Sequence, residues 1–135
     1  MILGETCTRN CRFCDVKTAV PDKVDWEEPV RLAQSIQKLK LKHCVITSVA
    51  RDDLKDGGIE FWAQTVKTVK AVNLGITMET LIPDFKRSLA DMKPLFMARP
   101  EVISHNIETI ERISPMIRSV ANYAGSLGML EHIAK

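Results

Sequence analysis

Residues 44–49, Cys44-Val45-Ile46-Thr47-Ser48-Val49, decide the fold. A short, β-branched run of this kind reads as a strand buried on both faces, the habit of strands in parallel sheets. Working outward, residues 76–82 (Ile-Thr-Met-Glu-Thr-Leu-Ile) form a second such run, stopped by Pro83. Val102-Ile103-Ser104 is a third, after Pro100, and Ile2-Leu3 is an apolar stub before Gly4. Helical spacing separates and follows these runs. Leu32, Ile36 and Leu39 share one face, as do Ile59, Trp62, Val66 and Val69 after the Gly57-Gly58 break. Leu89, Met92 and Phe96 predict a third helix weakened by Pro94, and Tyr123, Leu127, Leu130 and Ala134 a fourth weakened by Gly125 and Gly128. Asp25 and Glu28 predict a capping box at the start of the first helix, with Pro29 in its first turn. Strand, loop and helix thus recur four times. The expected class is α/β, a parallel sheet of βα repeats. Four units cannot close an eight-stranded barrel, but they suit an open sheet or part of a barrel.

The chain's 135 residues are one domain's worth. A composition of 45% hydrophobic and 27% charged residues excludes a disordered polar chain and a fibrous rod. No apolar run approaches the ~20 residues of a membrane span. A net charge of +2 is too weak to imply a nucleic-acid or membrane surface. The basic stretch Lys38–His43 reads as a helix C-terminus, with cations at the negative end of its dipole. The opening residues lack a basic n-region, so no signal peptide is expected. Met1-Ile2-Leu3 reads as the end of a strand, and the chain is expected to be an internal segment of a longer domain.

Chemistry concentrates in Cys7-Thr8-Arg9-Asn10-Cys11-Arg12-Phe13-Cys14, directly after the first stub. Structural cysteines would be spread through a core rather than bunched in a polar loop. Zinc is one reading of Cys11-x-x-Cys14, but zinc takes four ligands and the remaining thiol, Cys44, lies in a predicted strand. A disulfide would leave an odd thiol. An iron–sulfur cluster suits the spacing better, because short gaps let one loop wrap a cluster with soft thiolates. Three thiolates on a four-iron cluster leave one iron open to a small molecule. Arg9 and Arg12 are candidates for balancing its negative charge.

This C-x3-C-x2-C loop, with Phe13 before its last Cys, resembles the signature of radical S-adenosylmethionine (SAM) enzymes. ILGETCTRNCRFCDVKT, ITSVARDDLKDGG, LIPDF, SHNIETI and RSVANYAGSL resemble successive blocks of the lipoyl synthase family, in order and along essentially the whole chain. The resemblance implies part of a radical SAM partial (β/α) barrel spanning residues 1–135. It also implies a 4Fe–4S cluster on Cys7, Cys11 and Cys14 whose open iron chelates SAM. Reductive cleavage of SAM then gives a 5′-deoxyadenosyl radical, and sulfur enters an octanoyl chain at carbons six and eight. The substrate would be an octanoylated carrier, a lipoyl domain or the glycine cleavage H protein. The reductant would be ferredoxin or flavodoxin; an oxygen-sensitive cluster favours a reducing interior, a bacterial-type cytoplasm, with the mitochondrial matrix as the alternative. The family also carries an auxiliary 4Fe–4S cluster as sulfur donor, whose cysteines precede the radical loop and whose serine ligand lies near the C-terminus; those ligands are expected outside this segment.

By the same resemblance, Phe13 lies against adenine or else is a core aromatic, Ser48 contacts the methionyl end or else caps its strand, and Asn106 and Glu108 contact the ribose or methionine or else cap locally. Asp52, Asp53 and Asp56 position SAM or substrate, or else form a solvated turn and helix entry. Arg118 pairs with a carboxylate or lies in a surface ion pair, and His105 and Cys44 read as packing residues. The alternatives are another radical SAM enzyme and a non-catalytic metal-binding module.

Overall fold

A computed structural model describes residues 1–85 and 92–135. Within them, strands β1 (Thr6–Cys7) and β2 (Lys17–Thr18) form one small parallel pair. Strands β3 (His43–Thr47), β4 (Thr77–Leu81) and β5 (Val102–Ser104) form a parallel sheet in that order. Ile2 joins the free side of β3 through a parallel bridge to Ser48, its N–H donating to the Thr47 carbonyl at 2.8 Å. The first apolar stub is therefore the start of the sheet, which runs in chain order.

Helices connect the strands: α1 (Glu28–Lys38), α2 (Ile59–Val72) and α3 (Lys93–Ala98). After β5 come α4 (Ser114–Ile117) and α5 (Tyr123–Ile133). The α/β class and the alternating βα units are as the sequence implies. Pro94 falls in the first turn of α3, where its missing N–H costs no bond, and Met92 is the residue just before that helix. Leu89 lies outside the described residues.

The core lies between the sheet and its helices. Cys44, Ile46 and Met78 meet Ala33 and Ile36 of α1, Phe61, Trp62, Val66 and Val69 of α2, and Leu95 of α3. Each large side chain buried here contributes about 1.5–3 kcal/mol. The opposite face carries the rows Val45–Glu79–Val102 and Thr47–Leu81–Ser104. Val45 is 57% exposed and Val102 44%. The strand at 44–49 is thus buried on one face, contrary to expectation, and it ends as a ladder strand at Thr47. β-branched character alone does not report how many layers cover a sheet.

The capping box also fails to form. Glu27 is the residue before α1, with helical dihedrals and no side-chain cap. Asp25 accepts the Glu27 N–H at 3.0 Å and pairs with Arg31, while Glu28 reaches away from the helix to accept the Leu3 N–H at 2.9 Å. Leu3, at φ 67°, has turned that N–H out of the sheet. A long-range backbone donor outcompetes the local one.

Candidate functional site

The carboxyl ends of the parallel strands open onto one cavity. Thr47, Ser48 and Ala50 line it after β3, Leu81 to Asp84 after β4, and His105, Asn106 and Glu108 after β5. Cys7, Arg9, Cys11, Phe13 and Cys14 close one side, and Arg118 and Ala121 another. All seven residues expected at the site (Cys7, Cys11, Cys14, Phe13, Ser48, Asn106 and Glu108) line this one cavity. Strand ends of an open parallel sheet are where ligands of α/β proteins bind.

Loop geometry follows from its fastenings. Thr8 N–H donates to the Ala50 carbonyl at 3.1 Å, and its hydroxyl accepts the Asp52 N–H at 3.0 Å. Thr18 Oγ donates to the Arg9 carbonyl at 2.9 Å. On the far side, Arg12 N–H donates to the Ile117 carbonyl at 2.8 Å, and Asn10 N–H to Ser119 Oγ at 3.1 Å. The β1–β2 pair brackets the loop. The three thiols form no disulfide, Cys7 and Cys11 half-buried and Cys14 exposed; Cys7 Sγ accepts the Arg9 N–H at 3.4 Å and Cys11 Sγ lies 3.7 Å from Ser119 Oγ. Phe13 stands 51% exposed at the cavity edge.

Arg9 does not serve as a counter-charge. Its side chain is buried, its Nε and Nη2 donate to both oxygens of Asp52 at 2.7 Å, and Nη2 lies 2.6 Å from Asp84 Oδ1. Burial works against its charge, but the hydrogen bonds and attraction of the two carboxylates prevail and hold it charged above its ordinary range. Arg12 is exposed, as is Asp15, whose carboxylate faces solvent.

The acidic loop divides its work. Asp52 binds Arg9, Asp53 pairs with the buried Arg51, and Asp56 accepts the N–H groups of Gly58 and Glu60 at 3.0 and 2.8 Å, starting α2. Ser48 Oγ accepts the Trp62 indole N–H at 3.2 Å, leaving its own proton free to donate. His105 is buried. Its Nδ1 lies 2.8 Å from the Ile82 carbonyl, so that nitrogen carries the proton, and Nε2 accepts from Ser126 Oγ at 3.0 Å. Ser126 in turn accepts from Arg118 at 2.7 Å, and Arg118 also donates to the Ile107 carbonyl. Burial, the largest influence, lowers the His105 pKa. Glu108 holds a left-handed backbone, φ 68°, an uncommon state for a residue with a Cβ.

Cys44 lies in the core beneath the helices, where burial, and then Glu101, push its thiol pKa up. Among the described residues no three His, Cys, Asp or Glu side chains gather on one point as single-ion ligands. The donor set, three free thiols on one short loop, suits an iron–sulfur cluster. The partners of Arg9, Trp62, Ser126 and the 117–119 segment are not legible from local sequence, because each meets the site through a residue elsewhere in the chain.

The sequence profile of the Radical SAM superfamily matches residues 1–135. The chain belongs to the radical SAM superfamily. Within that superfamily it is 50% identical over 133 residues to the mitochondrial lipoyl synthase of Nematostella vectensis, covering 98% of this chain and 46% of the relative. It is 49% identical over 133 residues to the lipoyl synthase of Flavobacterium johnsoniae, with the same coverage of 98% and 46%. With the lipoyl synthase of Phocaeicola vulgatus it shares 51% over 134 residues, 99% of this chain and 47% of the relative. The radical SAM chain described here spans about half the length of the curated relatives it matches. Among its described residues no helix is long and apolar enough to cross a membrane.

Proposed function

We propose that residues 1–135 form part of the radical SAM core of a lipoyl synthase, which inserts sulfur at C6 and C8 of an octanoyl chain on a carrier protein. The carrying observation is that three free thiols of one loop open onto the same cavity as the ends of β3, β4 and β5. About half identity to lipoyl synthases along nearly the whole chain supports the narrower assignment.

In this reading Cys7, Cys11 and Cys14 hold a 4Fe–4S cluster, with SAM beside it. When bound and reduced, that pair supplies a carbon radical able to take hydrogen from an unactivated chain. The protein's own part is placement. Ser48 offers a hydroxyl proton to the methionyl end. Asn106 and Glu108 present an amide and a carboxylate to the ribose or the amino acid moiety. Phe13 offers a flat apolar face to the adenine. Arg118, held by Ser126, faces the cavity with a cation. Ferredoxin or flavodoxin is the proposed electron source, a lipoyl domain or glycine cleavage H protein the proposed carrier, and the cytoplasm the proposed setting. A sulfur-donating auxiliary cluster would need ligands beyond the one cysteine, Cys44, that this chain has to spare.

Anaerobic reconstitution with iron and sulfide should yield one cluster per chain. Cys7→Ala should abolish its absorbance and Cys44→Ala should leave it. Dithionite with SAM should then release 5′-deoxyadenosine, more of it with an octanoylated lysine peptide present. Zinc without iron uptake would sink the reading, and deoxyadenosine release indifferent to the peptide would favour another radical SAM reaction.

A further inference from the structure

Arg9 sits between Cys7 and Cys11, and its side chain points away from solvent into the junction of two other loops. Asp52 belongs to the loop after β3 and Asp84 to the loop after β4. The guanidinium fork takes both oxygens of Asp52 at 2.7 Å and contacts Asp84 Oδ1 at 2.6 Å. Asp84 is 3% exposed, and among the described residues its Oδ1 has no aligned hydrogen bond. The Arg9–Asp84 contact is a close ion pair, made by the same Nη2 that gives one proton to Asp52 Oδ1. Both carboxylates draw on the one guanidinium, so the Arg9 charge is engaged away from the thiols. A planar bidentate fork does fix direction as well as distance.

Taking residues 7–14 as the cluster loop, as proposed above, we infer that Arg9 is a positioning residue. It locks the cysteine loop onto the loops after β3 and β4 and so sets the spacing of the thiols before any cluster arrives. The site is pre-organised by an ion-pair triad rather than assembled by the metal. Cys44, on the other face of the sheet, provides an internal reference for global unfolding.

The test uses the full 135-residue chain. Arg9→Met alone would strand a buried carboxylate, so Arg9→Met/Asp84→Asn is the informative variant. In the metal-free chain, alkylation of Cys7, Cys11 and Cys14 should quicken about tenfold, the scale expected on losing a buried charged hydrogen-bond pair, while Cys44 stays protected. On reconstitution the double variant should bind several-fold less iron, and the remaining cluster should show an altered electron paramagnetic resonance line shape. Arg9→Lys, which keeps the charge but not the fork, should fall between. Parent-like thiol rates and parent-like cluster loading in the double variant would overturn the inference. So would opening of Cys44 together with the loop, since the triad would then hold the whole fold instead. If the parent chain takes up no iron, the cluster reading fails, while the thiol rates of the metal-free chains still decide the role of Arg9.

Discussion

His105 shows how one residue ties the cavity wall together. With Nδ1–H committed to the Ile82 carbonyl and Nε2 accepting from Ser126, the neutral ring satisfies both neighbours, and Ser126 can hold Arg118. Protonation would place a second donor against Ser126 within reach of the Arg118 cation; the Ile82 carbonyl, Asp84 and Glu108 favour it, but burial outweighs them. The folded-state pKa therefore lies below the ordinary 6.5. The unfolded chain binds the proton first as pH falls, so this contribution to stability is complete above about 6.5 and is lost as pH falls below it toward the folded value. His105→Gln keeps one donor and one acceptor but does not titrate. Its melting temperature should fall less steeply than the parent's between about pH 7 and 5; parallel curves would show that His105 carries none of the pH dependence. The burial of this histidine was legible from its place just past an apolar strand. Its partners were not, because Ser126 and Arg118 reach it only after α5 has docked.

Among the elements, the loop joining β3 to α2 does the most connecting work. Gly57, at φ 66°, passes so close to the loop after β4 that an added Cβ would lie 3.1 Å from Phe85 Cα. Gly75 has a similar dihedral, φ 81°, and open space around it. Gly75→Ala should cost only the left-handed penalty, about 1 kcal/mol, and Gly57→Ala about 1–2 kcal/mol more, because backbone must move. Urea unfolding of the two variants compares them directly; equal losses would mean that the two loops do not press on each other. The helices and strands were readable because their periodicities are local. The capping box does not form because Glu28 answers the Leu3 N–H of the N-terminal stub, and the β1–β2 pair is not legible in the sequence because two-residue strands have no period to detect.

At the scale of the molecule, helices of the described residues cover one face of the β3–β4–β5 sheet, and its two faces should respond differently to substitution. Ile46→Ala, on the helix side, should destabilise by about 2–4 kcal/mol. Val45→Lys, one residue earlier on the open side, should stay within about 0.5 kcal/mol of the parent by the same urea measurement. A large loss at Val45 would mean that the open face is covered in the isolated chain. The order of blocks along the chain made the parallel architecture and the cysteine loop legible together. The number of layers was not, since covering a sheet is a property of what packs on it.

The triad of Arg9, Asp52 and Asp84 also has a consequence in time. A ribosome delivers the three loop thiols early, but the carboxylate that completes this triad follows roughly 70 residues later, about 4–14 s at ordinary elongation rates. During that interval the thiols lack the Asp84 anchor and are more open to oxidants or stray metals. A cell that uses this loop must therefore keep its newly made chains reduced until β4 and the loop after it have emerged.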